Sequence, residues 1–238
     1  MDPVTSSPAP RAYPARLDGH LDPGLSRWKW LVKIVLVIPH VVVLAFLWIA
    51  VLCTTIVAGF SILFTGRYPR SIFDFNTGVM RWTWRVSFYA FGALATDRYP
   101  PFRLRSDPDY PADYQVDYPE HLSRGLVLVK WWLLAIPHYL VVAVLSGGWH
   151  VGTTGGLITL LVLIAGVTLL FTGRYPETMF DFVMGLNRWC YRVLAYAALL
   201  RDEYPPFRYD GGGLDPGSIP VEPAPAPDTG PVVVDANS

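Results

Sequence analysis

The sequence predicts an all-α integral membrane protein built from a tandem duplication. Each copy is expected to hold a transmembrane helical hairpin followed by an amphipathic, arginine-bearing helix, and a disordered tail is expected at either end of the chain. The hexapeptide Phe-Thr-Gly-Arg-Tyr-Pro occurs twice, at Phe64 to Pro69 and at Phe171 to Pro176, and a repeat of this kind indicates duplication. No Asp, Glu, Lys or Arg lies between Ile34 and Gly66 or between Trp131 and Gly173. Uncharged runs longer than about 18 residues are typical of membrane spans, because about 20 helical residues cross the hydrocarbon layer.

Further matches return in the same order in both halves and strengthen the duplication. They are Ile38-Pro39-His40 with Ile136-Pro137-His138, Phe73-Asp74-Phe75 with Phe180-Asp181-Phe182, Gly78 with Gly185, Arg81-Trp82 with Arg188-Trp189, Arg85 with Arg192, and Tyr99-Pro100-Pro101-Phe102 with Tyr204-Pro205-Pro206-Phe207.

The composition excludes several classes of function. The chain has 238 residues, of which 52% are hydrophobic, and its 19 basic and 19 acidic side chains cancel, so charge favours no nucleic-acid partner. No phosphate loop, nucleophile elbow or His-Glu-x-x-His pair is present. The sequence therefore predicts no cofactor, no catalytic residue and no metal ligand, and leaves a lipid-modifying enzyme without a nucleophile.

Composition divides the chain into five parts. We expect a disordered tail over residues 1–24, a first membrane repeat over 25–102, an extended linker rich in Pro, Tyr and Asp over 103–120, a second repeat over 121–208 and a second disordered tail over 209–238. Five glycines between Ser146 and Gly156 separate the two helices of the second hairpin. The first repeat lacks this turn, so either a hairpin with Trp48 outside or one long kinked span fits, and the repeat favours the hairpin.

Charge placement sets the expected orientation. If each apolar segment crosses the membrane twice as a hairpin, every Lys and Arg lies on one side of the membrane. The positive-inside rule makes that side cytoplasmic. Both termini are then cytoplasmic, and the two halves are related by a pseudo-two-fold axis along the membrane normal.

Each hexapeptide is expected to end one helix and start another. Gly66 and Gly173 follow the last apolar turn, where a helix commonly ends on a left-handed residue that glycine adopts at low cost. The next helix is expected to begin with a capping box. The capping residues are Ser71 with Asp74 and Thr178 with Asp181.

A polar stripe runs along each of these second helices. The stripe residues recur at steps of four, three and four, as in Asp74, Gly78, Arg81 and Arg85, which places them on one helix face. Their arginines either hold the helix at headgroup depth or bind an anionic lipid or a partner carboxylate. The predicted anion-binding set is Arg81, Arg85, Arg188, Arg192, Arg67 and Arg174.

Two histidines lie inside the apolar segments. His40 and His138 each follow a proline, and an ionisable residue at membrane depth is by default a functional hypothesis. Each imidazole either satisfies the carbonyl that the proline frees or forms an intramembrane polar site.

These motifs resemble the domain-of-unknown-function 4389 family of bacterial membrane proteins. The resemblance rests on the Phe-Thr-Gly-Arg-Tyr-Pro turn, the Phe-Asp-Phe helix start, the Arg-Trp pair and the Tyr-Pro-Pro-Phe end, and it covers both halves from Trp28 to Phe207. It implies the membrane architecture and, since the family has no assigned activity, implies no substrate.

The function expected from sequence is a non-enzymatic, multi-pass scaffold or accessory subunit at the cytoplasmic face of the cell membrane. Its partners would be membrane lipids, anionic ones among them, and a membrane protein or a second copy of the chain. The alternative is a small transporter or channel with His40, His138 and the arginines along the pseudo-axis.

Overall fold

The computed structural model describes residues 13–146 and 156–218, and this part of the chain is mostly helical. The helices are α1 (Lys29–Leu36), α2 (Ile38–Thr65), α3 (Arg70–Ala90), α4 (Arg124–Val129), α5 (Ile136–Ser146), α6 (Leu157–Thr172) and α7 (Glu177–Ala197), with a π-helix at Lys130–Leu134 between α4 and α5. Two strands, β1 (Ala15–Gly19) and β2 (Ala112–Val116), form an antiparallel pair with Leu17 opposite Tyr114. The expectation of an all-α fold is corrected by this small sheet.

The sheet shows that the duplication begins earlier than the sequence analysis placed it. Tyr13-Pro14-Ala15 leads into β1 as Tyr110-Pro111-Ala112 leads into β2, and Leu25-Ser26-Arg27 corresponds to Leu122-Ser123-Arg124. Residues 13–23 and 110–120 are therefore the same part of two repeats. The disorder expected for 13–24 and the linker expected for 103–120 are both corrected, since each segment supplies one strand.

The C-terminal segment is also ordered up to its last described residue. Asp215 is 1% exposed, and its backbone N–H donates to the Asp18 carboxylate at 2.7 Å. The disordered tail expected over 209–238 is corrected for residues 209–218, and the remainder of that expectation lies outside the described residues.

The first repeat contains no hairpin. Ile38–Thr65 is one continuous helix of 28 residues, and Trp48 lies inside it, donating its indole N–H to the Thr83 hydroxyl at 3.1 Å. The preferred hairpin is therefore corrected in favour of one long helix. In the second repeat the same segment is divided into α5 and α6, and the predicted glycine-rich turn lies, except for its end residues, outside the described residues.

Within the described ranges, α2 is the one helix long and apolar enough to cross a membrane. The helical segments Arg124–Leu134 and Ile136–Ser146 are bent by 47° relative to each other and would make a second span if the two segments were counted as one helix.

The π-helix at Lys130–Leu134 results from one inserted residue. One more residue separates Lys130 from His138 than separates Lys33 from His40, and a π-bulge accommodates one inserted residue within a helix.

The structure has three layers, best seen in the first half. Helix α2 packs antiparallel to α3. His40, near the start of α2, is hydrogen-bonded to Trp82 in the second half of α3, and Thr54, farther along α2, is hydrogen-bonded to Asn76 in the first half of α3. On the opposite side of α3, the β2 segment runs along the helix, from Tyr110 beside Arg85 to Tyr118 beside Phe73. Thus α3 lies between an apolar helix and a strand.

The two outer layers have opposite character. In β1, Ala15, Leu17 and Gly19 are buried, whereas Arg16 and Asp18 alternate with them on the outer face. By contrast, the outer face of α2 exposes large apolar side chains, among them Phe46 at 69%. One surface of the protein is therefore charged and the other is apolar.

If β1 is a packed strand, shortening its inward side chain must destabilise the protein. We predict that Leu17→Ala lowers the free energy of unfolding by about 2–5 kcal/mol, because it leaves a cavity in a buried site. The matched control is Arg16→Ala, whose exposed pair with Asp117 contributes less than about 1 kcal/mol. Thermal unfolding in detergent measures both, and equal stability of the two variants would show that this segment is not packed.

Candidate functional site

Three of the repeated motifs meet at one place in each half. The Trp82 indole N–H donates to His40 Nδ1 at 3.2 Å, and the Phe102 ring stacks on the imidazole with centroids 3.9 Å apart. The His40 ring is fully buried. The Ile-Pro-His, Arg-Trp and Tyr-Pro-Pro-Phe motifs therefore form a single aromatic cluster that joins the start of α2 to the segment after α3.

The second half repeats this cluster. Trp189 donates to His138 Nδ1 at 3.3 Å, and Phe207 stacks on that imidazole at 4.2 Å. In both halves Nδ1 is thus paired with an indole. Each buried Nε2 atom makes no hydrogen bond within the described residues.

The predicted arginine stripe faces the sheet. Arg81 Nε donates to the Tyr114 carbonyl at 2.8 Å, and Arg188 Nε donates to the Leu17 carbonyl at 3.0 Å. Leu17 and Tyr114 are opposite each other in the sheet. The helix of each repeat is therefore bonded to the strand of the other repeat, across a pseudo-two-fold axis at the centre of the sheet.

The two remaining stripe arginines are bound by acids of this chain. Arg85, which is fully buried, donates to the Arg105 carbonyl at 2.8 Å and lies 3.5 Å from the Asp113 carboxylate. Arg192 pairs with Asp210 at 2.5 Å and with Asp215 at 3.0 Å. All four guanidinium groups of the stripe therefore contact the chain's own carbonyl and carboxylate oxygens.

Burial and charge act in opposite directions on these groups. Burial lowers the pKa of Arg188, whereas the carboxylates of Asp215 and Asp18 oppose that shift. Burial raises the pKa of Asp210, but hydrogen bonds from Arg192 and Arg208 outweigh it and hold the pKa below its ordinary value. Asp210 therefore stays ionised at neutral pH and keeps its pair with Arg192.

Arg67 and Arg174 differ from the stripe because both are exposed. Each lies in a hexapeptide turn beside a phenylalanine that is largely exposed, Phe64 at 73% and Phe171 at 78%. The preceding Gly66 and Gly173 both have φ of 72°, which confirms the left-handed helix ends expected there.

The predicted capping boxes are not formed. The second helices begin at Arg70 and Glu177, with Pro69 and Pro176 in the capping positions and no side-chain cap. Ser71 and Thr178 thus lie inside the first turn. The Asp74 carboxylate instead pairs with Arg70 at 3.2 Å. At the equivalent Asp181, the backbone carbonyl accepts a hydrogen bond from the Tyr209 hydroxyl at 3.0 Å. The prolines explain the difference, since Pro disfavours a helical conformation for the residue before it and sets the boundary at itself.

Sequence reasoning missed a buried lysine in each half. Lys33 Nζ donates to the Thr96 carbonyl at 2.6 Å and pairs with Asp97 at 2.9 Å. Lys130 Nζ likewise donates to the Arg201 backbone carbonyl at 2.9 Å and pairs with the Asp202 carboxylate at 2.8 Å. The signal was present, because the two lysines occupy equivalent positions just before the two charge-free runs.

A cavity of about 270 Å³ lies between the two repeats. Residues at three pairs of equivalent positions line it, which places it beside the pseudo-axis. These pairs are Trp48 with Ser146, Thr83 with Cys190, and Ser87 with Leu194. Among the described residues, its lining includes neither His40 nor His138 and no Asp, Glu, Lys or Arg, so the path expected for a transporter does not coincide with it.

The buried ion pairs make a sharp prediction. Asp215→Asn removes the carboxylate that Arg188 and Arg192 share, and breaking a buried pair costs about 3–5 kcal/mol because a buried charge loses its partner. Asp74→Asn, which breaks an exposed pair with Arg70, is the matched control and should cost less than about 1 kcal/mol. Denaturant unfolding in detergent measures both, and similar values for the two variants would contradict the prediction.

No curated protein and no solved structure matches the chain. The model of the family described as "Domain of unknown function (DUF4389)" matches residues 27–103 and 127–208, which together make up well over half of the chain. Both ranges contain the aromatic cluster, the hexapeptide turn and the arginine stripe, so the chain belongs to the DUF4389 family and carries two tandem copies of its domain.

Proposed function

We propose that this protein is a non-enzymatic scaffold that contacts lipid and lies within the cytoplasmic leaflet of the membrane, with the axis of α2 in the membrane plane. The observation that carries the proposal is the layering: the β2 segment follows α3 along its length, on the side opposite α2. In this proposal, an in-plane α2 takes the place of the multi-pass topology expected from sequence.

The apolar layer supports lipid contact. Large apolar side chains are exposed along the helices on this side, and only 17% of the most apolar window of α2 is buried. Exposed apolar area of this extent marks an interaction surface. The most exposed of these side chains are Phe46, Phe64, Leu140, Val144 and Phe171.

The charged layer supports the in-plane orientation. If α2 stood upright in the bilayer, the sheet beside α3 would lie at hydrocarbon depth, with Arg16 on its outer face and the exposed carboxylate of its partner Asp117 beside it. Each charge at that depth costs about 2.5–3.5 kcal/mol even on the lower scales. With α2 in the plane, the same residues face water and the apolar face meets the acyl chains, as in other interfacial helices.

The hexapeptide turns supply the headgroup contacts in this proposal. Phe64 and Phe171 enter the lipid, while Arg67 and Arg174, three residues later, remain exposed and reach the phosphates. Arginine suits this role because its guanidinium binds phosphate through two parallel hydrogen bonds. The stripe arginines serve the scaffold internally, by holding the sheet over α3 and α7.

Depth measurements along α2 test the orientation. Spin labels at Val42→Cys, at native Cys53 and at Phe60→Cys, each as the single cysteine, lie on one face of the helix, because their spacings of 11 and 7 residues are close to whole turns. We expect equal depth in all three, as judged by access to oxygen and to a water-soluble nickel complex. A label at Gln115→Cys, on the exposed side of the sheet, should report water.

An upright α2 gives a different result. Val42 and Phe60 would then lie about 27 Å apart along the membrane normal, and the label at Cys53 would be the deepest of the three. That pattern would overturn the in-plane orientation.

Lipid retention tests the headgroup contacts. We predict that Arg67→Gln with Arg174→Gln lowers the amount of phosphatidylglycerol that copurifies with the protein, because each arginine near an anionic surface contributes about 1 kcal/mol. The control is Arg16→Gln with Arg103→Gln, two charges outside the apolar layer. Native mass spectrometry measures the bound lipid, and equal loss in both double variants would contradict the assignment of Arg67 and Arg174.

A further inference from the structure

The cavity beside the pseudo-axis has a polar inner end. Asn187 Nδ2 donates to the Gly92 carbonyl at 2.8 Å and to the Val183 carbonyl at 2.9 Å. Both amide hydrogens are thereby used, which leaves the amide oxygen as an acceptor. The Ser87 hydroxyl lies against the same Gly92, where a Cβ atom would stand only 2.0 Å from the Ser87 Oγ. An acceptor and a hydroxyl therefore converge on the turn after α3.

The rest of the lining, as far as the structure describes the chain, carries no charge. The Cys190 thiol also lines the cavity, and burial raises its pKa to about 12, so the thiol is neutral at physiological pH. A ligand bearing a full charge would enter without a counter-ion, which is costly in an apolar site. A hydroxyl satisfies both the acceptor and the Ser87 hydroxyl without that cost.

The outer end of the cavity is formed by the apolar helices. Val142, Ala143 and Ile158 line it, and on the same turns of α5 the side chains of Leu140 and Val144 are 69% and 68% exposed. The cavity therefore lies next to the surface that is proposed to face lipid. A molecule can enter from the bilayer with its polar end first.

We infer that this cavity binds the hydroxyl end of a long-chain neutral lipid alcohol drawn from the membrane. The hydroxyl donates to the Asn187 amide oxygen and accepts from the Ser87 hydroxyl, and the chain passes between α5 and α6 into the bilayer. At about 30 Å³ for each heavy atom, the share of one water in the liquid, a cavity of 270 Å³ holds roughly nine heavy atoms. The remainder of the chain stays in the lipid.

Photolabelling tests the site on the purified full-length protein in detergent. The probe is hexadecanol with a diazirine close to its hydroxyl, and protease digestion with mass spectrometry locates the label. We expect labelled positions on α3 and α7 next to Ser87 and Asn187. Labels confined to the outer faces of α2 and α6 would overturn the inference.

Two neighbouring substitutions give a matched comparison. Ala143→Phe fills the cavity and should lower labelling of α3 and α7 by about tenfold or more, the equivalent of roughly 1.4 kcal/mol. Val144→Phe, on the exposed side of the same turn, should leave labelling unchanged. Near-UV circular dichroism confirms that both variants are folded, and equal labelling in the two would contradict the site.

Competition tests recognition of the hydroxyl. Unlabelled hexadecanol should suppress labelling, whereas hexadecane, which lacks the hydroxyl, should suppress it far less; equal suppression would show that the polar end is not recognised. Ser87→Leu, which places at position 87 the residue that stands at the equivalent Leu194, should reduce this difference. The route from the bilayer rests on the proposed orientation, but the labelling is done in detergent, so either result can fail without the other.

Discussion

Everything in this structure depends on the reciprocal bonds between the arginine helix of one repeat and the strand of the other. Arg81 binds the Tyr114 carbonyl and Arg188 binds the Leu17 carbonyl, at the two residues that face each other in the sheet. A guanidinium can be buried only where oxygen atoms surround it. Arg81 and Arg188 each use a carbonyl of the other repeat, which ties the two halves into one unit.

The same exchange recurs at the hexapeptide turns. The Tyr68 hydroxyl donates to the Ala198 carbonyl at 3.5 Å, and the Tyr175 hydroxyl donates to the Ala93 carbonyl at 2.7 Å. Each turn therefore supports the far end of the partner repeat's second helix. These contacts join the two repeats within the polar layer. A scaffold that rests on one leaflet needs such a layer, because lipid supplies no directional contacts of its own.

The proposed lipid contacts and the proposed ligand site both involve residues outside this hydrogen-bonded framework. Arg67 and Arg174 are displayed at the edges with their phenylalanines, while the cavity lies where the two halves meet. At that seam the two repeats differ: Asn187 stands where the first repeat has Met80, and Ser87 stands where the second has Leu194. The polar end of the cavity is therefore built from residues that one half alone carries.

The sequence by itself determined the duplication, the apolar character of α2 and α6 and the helix ends at Gly66 and Gly173, because these follow from local patterns and backbone preferences. It did not reveal that Tyr13-Pro14-Ala15 and Tyr110-Pro111-Ala112 are equivalent strands, since a short motif within a proline-rich stretch resembles a tail or a linker until its partner is seen. Only the tertiary structure decided what the arginines bind, because a stripe of arginines on an apolar helix is equally compatible with lipid, a partner or the chain's own carbonyls. It also decided that α2 is one helix beneath a polar layer, since the length and composition of a helix do not determine its direction relative to its neighbours.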